Sequence, residues 1–195
     1  TYFAFLWAIQ VTQNTLRNLH SEKELLNKNL LPTNDKHLLL PIDLRNLQLK
    51  AIRLEKQQDE NRPYMLTDLI KKACQKFKAN NSIPEVIEII SIQIEINKEK
   101  AESEQSSIRY LTWVIPSIGF IGTVLGISQA LTMANSGDMN AISATLGVAF
   151  DTTLVSLVLS VIIMWFFHRL QEENDLLHAN LKEYVISNLV NKIEV

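Results

Sequence analysis

Residues 110–167 read YLTWVIPSIGFIGTVLGISQALTMANSGDMNAISATLGVAFDTTLVSLVLSVIIMWFF. Their reading decides the fold. Only Asp138 and Asp151 carry charge in this stretch, although the whole chain of 195 residues has 19 basic and 21 acidic side chains. An apolar helix of about 20 residues covers the hydrocarbon core of a bilayer. The stretch therefore predicts two transmembrane helices, 110–133 and 143–168. They are joined by a turn over 134–142 whose polar centre is Asn135-Ser136-Gly137-Asp138-Met139-Asn140. The expected fold class is an all-α membrane protein of long helices built around this transmembrane hairpin.

Outward from the hairpin, basic residues set the orientation, because Lys and Arg near membrane ends stay on the cytoplasmic side. Residues 10–109 hold 16 of the 19, residues 169–195 hold three, and the turn holds none. The region 13–109 and the tail 169–195 are expected to be cytoplasmic and helical, with the turn periplasmic. Tyr110, Trp113 and Trp165 then fall at one headgroup layer as interfacial anchors. The chain opens on Thr1, and the run Tyr2-Phe3-Ala4-Phe5-Leu6-Trp7-Ala8-Ile9 is too short to span. Residues 1–12 read as the end of a truncated first transmembrane helix, with an interfacial or buried soluble helix as the alternative.

In the cytoplasmic region, Pro32, Pro41 and Pro63 break a leucine-rich stretch, which predicts short helices with a turn at Pro32-Thr33-Asn34-Asp35. The spacing of Leu66, Leu69, Ile70, Ala73 and Phe77 is helical, with Lys71, Lys72, Lys76 and Lys78 on the wet side. Asn81, Ser82 and Pro84 mark a helix start. Ile90, Ile92, Ile94 and Ile96 alternate as in a strand, but the Glu/Lys/Gln-rich run that follows favours helix. In the tail, Leu170, Leu177, Leu181, Tyr184, Ile186, Leu189 and Ile193 form a stripe that wants a helical partner. That partner is either the chain's own cytoplasmic helices or a neighbouring copy.

The formal net charge of −2 excludes the basic footprint that phosphate-backbone binding needs, so no nucleic acid is expected. A single cysteine, Cys74, forms no internal disulfide and reads as a small buried thiol. His20, His37, His168 and His178 share no metal-ligand spacing, and neither a phosphate-cradling glycine loop nor a nucleophile elbow occurs. No catalytic residue, metal or cofactor is expected, and the chain reads as a non-enzyme.

All five glycines lie between Gly119 and Gly147. Helices in lipid pack closely only where small residues let backbones approach, and Gly122 with Gly126 has the GxxxG spacing. Gly119 extends this packing surface and Pro116 can bend the helix. Thr145, Ala149, Thr152, Thr153, Ser156 and Ser160 recur at helical spacing as a ribbon of hydroxyls and methyls. Each hydroxyl either bonds back to a carbonyl one turn earlier or lines a wet passage. Asp151 is the sole ionisable group inside either span, at a cost of roughly 2.5 to 3.5 kcal/mol on insertion scales. It lies about 200° around the helix from Thr153, so it stands as a structural or proton-linked group bonded to a neighbouring helix.

With these residues laid out, the hairpin resembles the MotA/TolQ/ExbB proton-channel family, in particular its ExbB/TolQ-like members. The string Ile115-Pro116-Ser117-Ile118-Gly119-Phe120-Ile121-Gly122-Thr123-Val124-Leu125-Gly126-Ile127 is similar to that family's proline-then-GLxGTVxGI signature. The stretch 147–157 is similar to its following helix, with Thr123 and Thr153 on the two signature threonines. The acidic residue of the ExbB and TolQ branch falls on Val148 here, and this chain carries Asp151 instead.

The resemblance implies a stator subunit of a motor in the bacterial inner membrane, a multi-pass homopentamer. It would surround a dimer of single-span ExbD/TolR/MotB-like partners, each with a membrane aspartate, and conduct H⁺ or Na⁺. Thr123, Thr152, Thr153, Ser156 and Ser160 are the expected pore-lining residues. A non-conducting oligomeric membrane scaffold is the alternative that the same small-residue spans allow.

Overall fold

The computed structural model describes residues 2–28, 30–31, 39–56 and 64–193. The turn expected at 32–35, together with His37 and Pro63, lies outside them. The described chain is all-α: α1 (Tyr2–Asn27), α2 (Pro41–Lys56), α3 (Met65–Asn80), α4 (Ile83–Met133) and α5 (Met139–Asn188). Two one-turn 3-10 helices follow α4 and α5.

The chain divides into two compact units. One gathers the residues up to Leu16 with Glu104–Gln171, and the other gathers Arg17–Ser103 with the chain from Glu172 onward. The first holds the start of α1, the second half of α4 and the first half of α5. Here α4 and α5 run 51 and 50 residues without a break, longer than the spans predicted from hydropathy because charged helical segments continue each one. Both are long and apolar enough to cross a membrane, yet only 22 % of the most apolar window of each is buried in the chain. A core helix of a soluble protein would bury most of such a window. Phe120, Leu125, Leu131, Phe150 and Val161 all point outward, as a lipid-facing surface requires.

The turn between α4 and α5 is built as its residues dictate. Ala134–Ser136 forms a 3-10 turn, and Gly137 closes it at φ 70°, a left-handed conformation that a side chain would strain. The Asp138 carboxylate then accepts hydrogen bonds from the backbone N–H groups of Asn140 and Ala141, each at 3.1 Å. It caps α5, which starts at Met139.

In the second unit the helical expectations for α3, for the start of α4 and for the isoleucine run hold. Val86, Ile90 and Ile94 are buried, while Ile92 and Ile96 are exposed, so the residues sort by the 3.6 period and not by alternation. The tail packs against its own unit: Leu177, Leu181, Val185 and Leu189 are buried. Val185, one turn beyond Leu181, takes the core place that the sequence stripe gave to Ile186. The lysines of α3 are largely neutralised, Lys71 by Glu55 at 2.9 Å, Lys72 by Asp68 at 2.9 Å and Lys76 by Glu85 at 2.8 Å.

The sequence expectation of only short helices before Pro63 differs at α1, a single helix of 26 residues. No proline or glycine occurs before Pro32 to stop it. Its Glu22 reaches the start of α3, where both carboxylate oxygens accept from the Met65 N–H at 3.0 and 3.1 Å. No cap comes from the side chain of Tyr64, so Glu22 supplies it from another helix. Burial pushes this carboxyl up from 4.5 to about 7, against the opposing pull of the Met65 bond. Cys74 is buried and its thiol is pushed up to about 12 by desolvation, which suits the inert reading.

A buried polar seam lines the same unit. Gln93, Asn174 and His178 are all under 8 % exposed. Lys72 donates to Gln93 Oε1, Gln93 donates to Asn97 Oδ1 at 2.9 Å, and His178 Nδ1 lies 2.7 Å from the Asn174 carbonyl. Asn97 Nδ2 and His178 Nε2 are buried without a partner among the described residues. Nearby, Lys98 on α4 pairs with Asp175 on α5 at 3.4 Å.

A candidate ion-conducting hairpin

The hairpin closes where side chains are missing. A Cβ placed on Gly119 would stand 2.4 Å from Ser156 Cβ, and one on Gly126 would stand 2.4 Å from Ala149 Cβ. At Gly122 the nearest atom, Thr152 Oγ1, is 3.0 Å away. The tightest approaches are thus at Gly119 and Gly126, seven residues and two turns apart, with Gly122 of the GxxxG pair on the looser edge. Pro116 lies inside α4, where it removes one backbone N–H from the ladder. The neighbouring Ser117 hydroxyl donates to the Trp113 carbonyl at 2.7 Å.

This close approach brings the two signature threonines together. Thr153 Oγ1 is 2.9 Å from the Gly119 carbonyl on α4, and Thr123 Oγ1 is 3.1 Å from the Ala149 carbonyl on α5. The two hydroxyls also bond each other. Thr123 Oγ1 also lies 3.3 Å from the Gly119 carbonyl one turn earlier on its own helix. Each hydroxyl has one proton, so the pair cannot make all four bonds at once. Either Thr123 donates to Thr153 and Thr153 to Gly119, or Thr153 donates to Thr123 and Thr123 to the Ala149 or the Gly119 carbonyl. Rotation of two O–H groups converts one arrangement into the other.

The other hydroxyls of the ribbon fold back on their own helix. Thr145 donates to Ala141, Thr152 to Ala149, Ser156 to Thr152 and Ser160 to Leu157, at 2.9, 2.7, 2.8 and 3.2 Å. Ser156 and Ser160 are buried within the unit, Thr123 and Thr153 are half-buried, and Thr152 is exposed. Asp151 lies on the far side of α5 from the α4 contact, exposed, with no partner for its carboxylate among the described residues. Sequence reasoning missed Arg109, whose guanidinium sits 5.9 Å from the centre of the Phe167 ring, within cation–π range. The signal was there in a cation one residue before the apolar stretch and an aromatic at its end.

The model of the MotA/TolQ/ExbB proton channel family matches residues 61–183, more than half of the 195 residues. The chain belongs to this family. The match takes in α3, all of α4 and α5 through Glu183, well beyond the hairpin on which the sequence resemblance rested. No curated protein and no solved structure matches the chain. As a member of the MotA/TolQ/ExbB family with two outward-apolar long helices, it is a membrane protein of a proton-channel type, and the family is not one of enzymes.

Proposed function

We propose that the chain is the ion-conducting stator subunit of a motor complex in the bacterial inner membrane. Five copies would enclose two single-span partners, each bearing a membrane aspartate, and flow of H⁺ or Na⁺ would turn one set against the other. Each charge that crosses 100 mV releases about 2.3 kcal/mol, enough to drive a conformational step.

The observation that carries this reading is the Thr123–Thr153 hydroxyl pair. A packing contact needs only one fixed hydrogen-bond pattern. A pair with interchangeable patterns, half open to the outside, can pass a hydrogen bond along or lend an oxygen to a passing cation. In this reading Thr123 and Thr153 form the lining, with Thr152 next to them. Ser156 and Ser160, buried in the single chain, hold the helices behind it, as Gly119, Gly122 and Gly126 do. Asp151 serves in contact with another chain.

The test has two parts. Co-purification with neighbouring gene products, followed by subunit counting, is expected to return five copies of this chain with two of a single-span protein. Thr153→Val is expected to stop ion flux while assembly persists. The scaffold reading draws support from the four hydroxyls that fold back on their own helix. It is the correct one if wild-type assemblies carry no flux.

A further inference from the structure

Helix α5 presents a second face that its own hairpin leaves unused. Half a turn away from Ala149 and Ser156, which meet α4, lie Ala144, Gly147 and Asp151, all exposed. A Cβ on Gly147 would meet nothing within 4 Å. The corresponding far face of α4 carries Val124, Ser128 and Leu131, also exposed. On that face the Ser117 and Thr132 hydroxyls are used on the carbonyls of Trp113 and Gln129. The Ser128 hydroxyl is not, and neither it nor the Asp151 carboxylate has a partner among the described residues. One unmatched donor and one unmatched acceptor therefore lie on the two free faces of the same hairpin.

Their depths agree. The contacts Gly119–Ser156 and Gly126–Ala149 set an antiparallel register in which Leu131 is level with Ala144, Ser128 with Gly147 and Val124 with Asp151. Copies arranged around an axis along the membrane normal all lie at one depth, so these levels also hold between neighbours. Leu131 of α4 then faces Ala144 of α5, and Ser128 faces Gly147, whose missing side chain lets the backbones approach, as close helix packing in lipid requires. Side chains on a helix lean toward its N-terminus. Because α4 and α5 run in opposite directions, Ser128 leans toward the level of Asp151 and Asp151 toward that of Ser128. This closes much of the four-residue rise, about 6 Å, between them.

We infer that the free face of α5 docks on the free face of α4 in a second copy of this chain, with the Asp151 carboxylate accepting the neighbour's Ser128 hydroxyl. The contact is head-to-tail: one copy gives its α5 face and receives on its α4 face, and repetition closes a ring. A lipid neighbour offers the carboxylate no donor. A foreign helix on α5 would leave the matching face of α4 without an occupant. The inference rests on the ring assembly of the proposed function but not on conduction.

Disulfide trapping in native membranes tests it, with the full chain carrying Cys74→Ser. Under copper-phenanthroline oxidation, the double variant Ser128→Cys/Gly147→Cys is expected to give a ladder of covalent multimers. Each single variant is expected to stay monomeric, since a head-to-tail contact never brings a position onto itself. A dimer from either single variant, or no ladder from the double one, overturns the docking. For the hydrogen bond, Asp151→Asn keeps an acceptor and is expected to retain the assembly on native mass measurement, whereas Asp151→Leu loses it. An undiminished assembly for Asp151→Leu overturns the role given to the carboxylate. Gly147→Leu guards against a misfolded cysteine variant: the open space around Gly147 leaves the single chain's helicity unchanged while the assembly disperses. A ladder without ion flux leaves this inference standing and removes the conducting reading; flux that depends on Thr153 without a ladder does the reverse.

Discussion

Thr153 and Thr123 are the side chains on which the conducting reading turns, because each reaches a carbonyl of the other helix while touching the other's hydroxyl; Thr153 makes the shorter cross-helix bond, at 2.9 Å against 3.1 Å. Thr153→Ser keeps the O–H and is expected to keep flux; Thr153→Val keeps the shape and is expected to abolish it, as measured in proteoliposomes with an imposed ion gradient. Glu22 belongs to the same scale. Its folded carboxyl titrates near 7 against an ordinary 4.5, so between those values the folded chain holds a proton that the unfolded chain has released. Stability is then expected to rise as pH falls from about 7 to 4.5 and to be lowest above 7, where the buried charge is fully present. Glu22→Gln is expected to remove that slope, read by denaturant unfolding in detergent at pH 5 and pH 8. The sequence named Thr123 and Thr153 through their resemblance to a signature. It could not name the Gly119 and Ala149 carbonyls, since those partners lie about 30 residues away and depend on how the two helices rotate.

Between α4 and α5, the glycine contacts decide how closely the helices approach. Gly126→Ala adds a methyl where Ala149 Cβ already stands 2.4 Å from its position, and is expected to destabilise the hairpin by about 1–3 kcal/mol. Gly122→Ala, with 3.0 Å to a hydroxyl, is expected to cost less, and thermal unfolding of the two variants in one detergent gives the order. Periodicity made α3 legible, the length of their nearly charge-free runs made the membrane-long parts of α4 and α5 legible, and the start of α4 was settled by the Glu/Lys/Gln-rich run after its alternating isoleucines. The motif spacing pointed to Gly122 with Gly126, and the closest pair proved to be Gly119 with Gly126. Spacing names a helix face about 100° wide, and only the rotation of the partner helix selects residues within it. Glu22 as the cap of α3 was equally illegible: it precedes Met65 by 43 residues, and no local signal links them.

For the whole chain, the unequal distribution of charge is enough by itself to separate an apolar hairpin from a charged helical region. The division into two units near Glu104 and Gln171 falls within a few residues of where the charges resume. The orientation is expected to follow the lysines and arginines. Asn135→Cys should react with a membrane-impermeant thiol reagent from the outer side of intact cells. Lys78→Cys should react only in inverted vesicles, and the opposite pattern would reverse the topology.

The polar seam of Gln93, Asn97, Asn174 and His178 bears on the charged half of the chain in one more way. A purely leucine-lined interface tolerates sliding by a heptad, since every slipped setting still covers grease with grease. The Gln93–Asn97 and His178–Asn174 bonds each stay within one helix, but the bond from Lys72 on α3 to Gln93 on α4 crosses between helices and acts as a keyway that a shift of α4 would break, at the cost of the buried nitrogens of Asn97 and His178 left unpaired. The Lys98–Asp175 pair would be lost in the same slip. That half of the molecule thus surrenders some cohesion to keep its rods from ratcheting past each other.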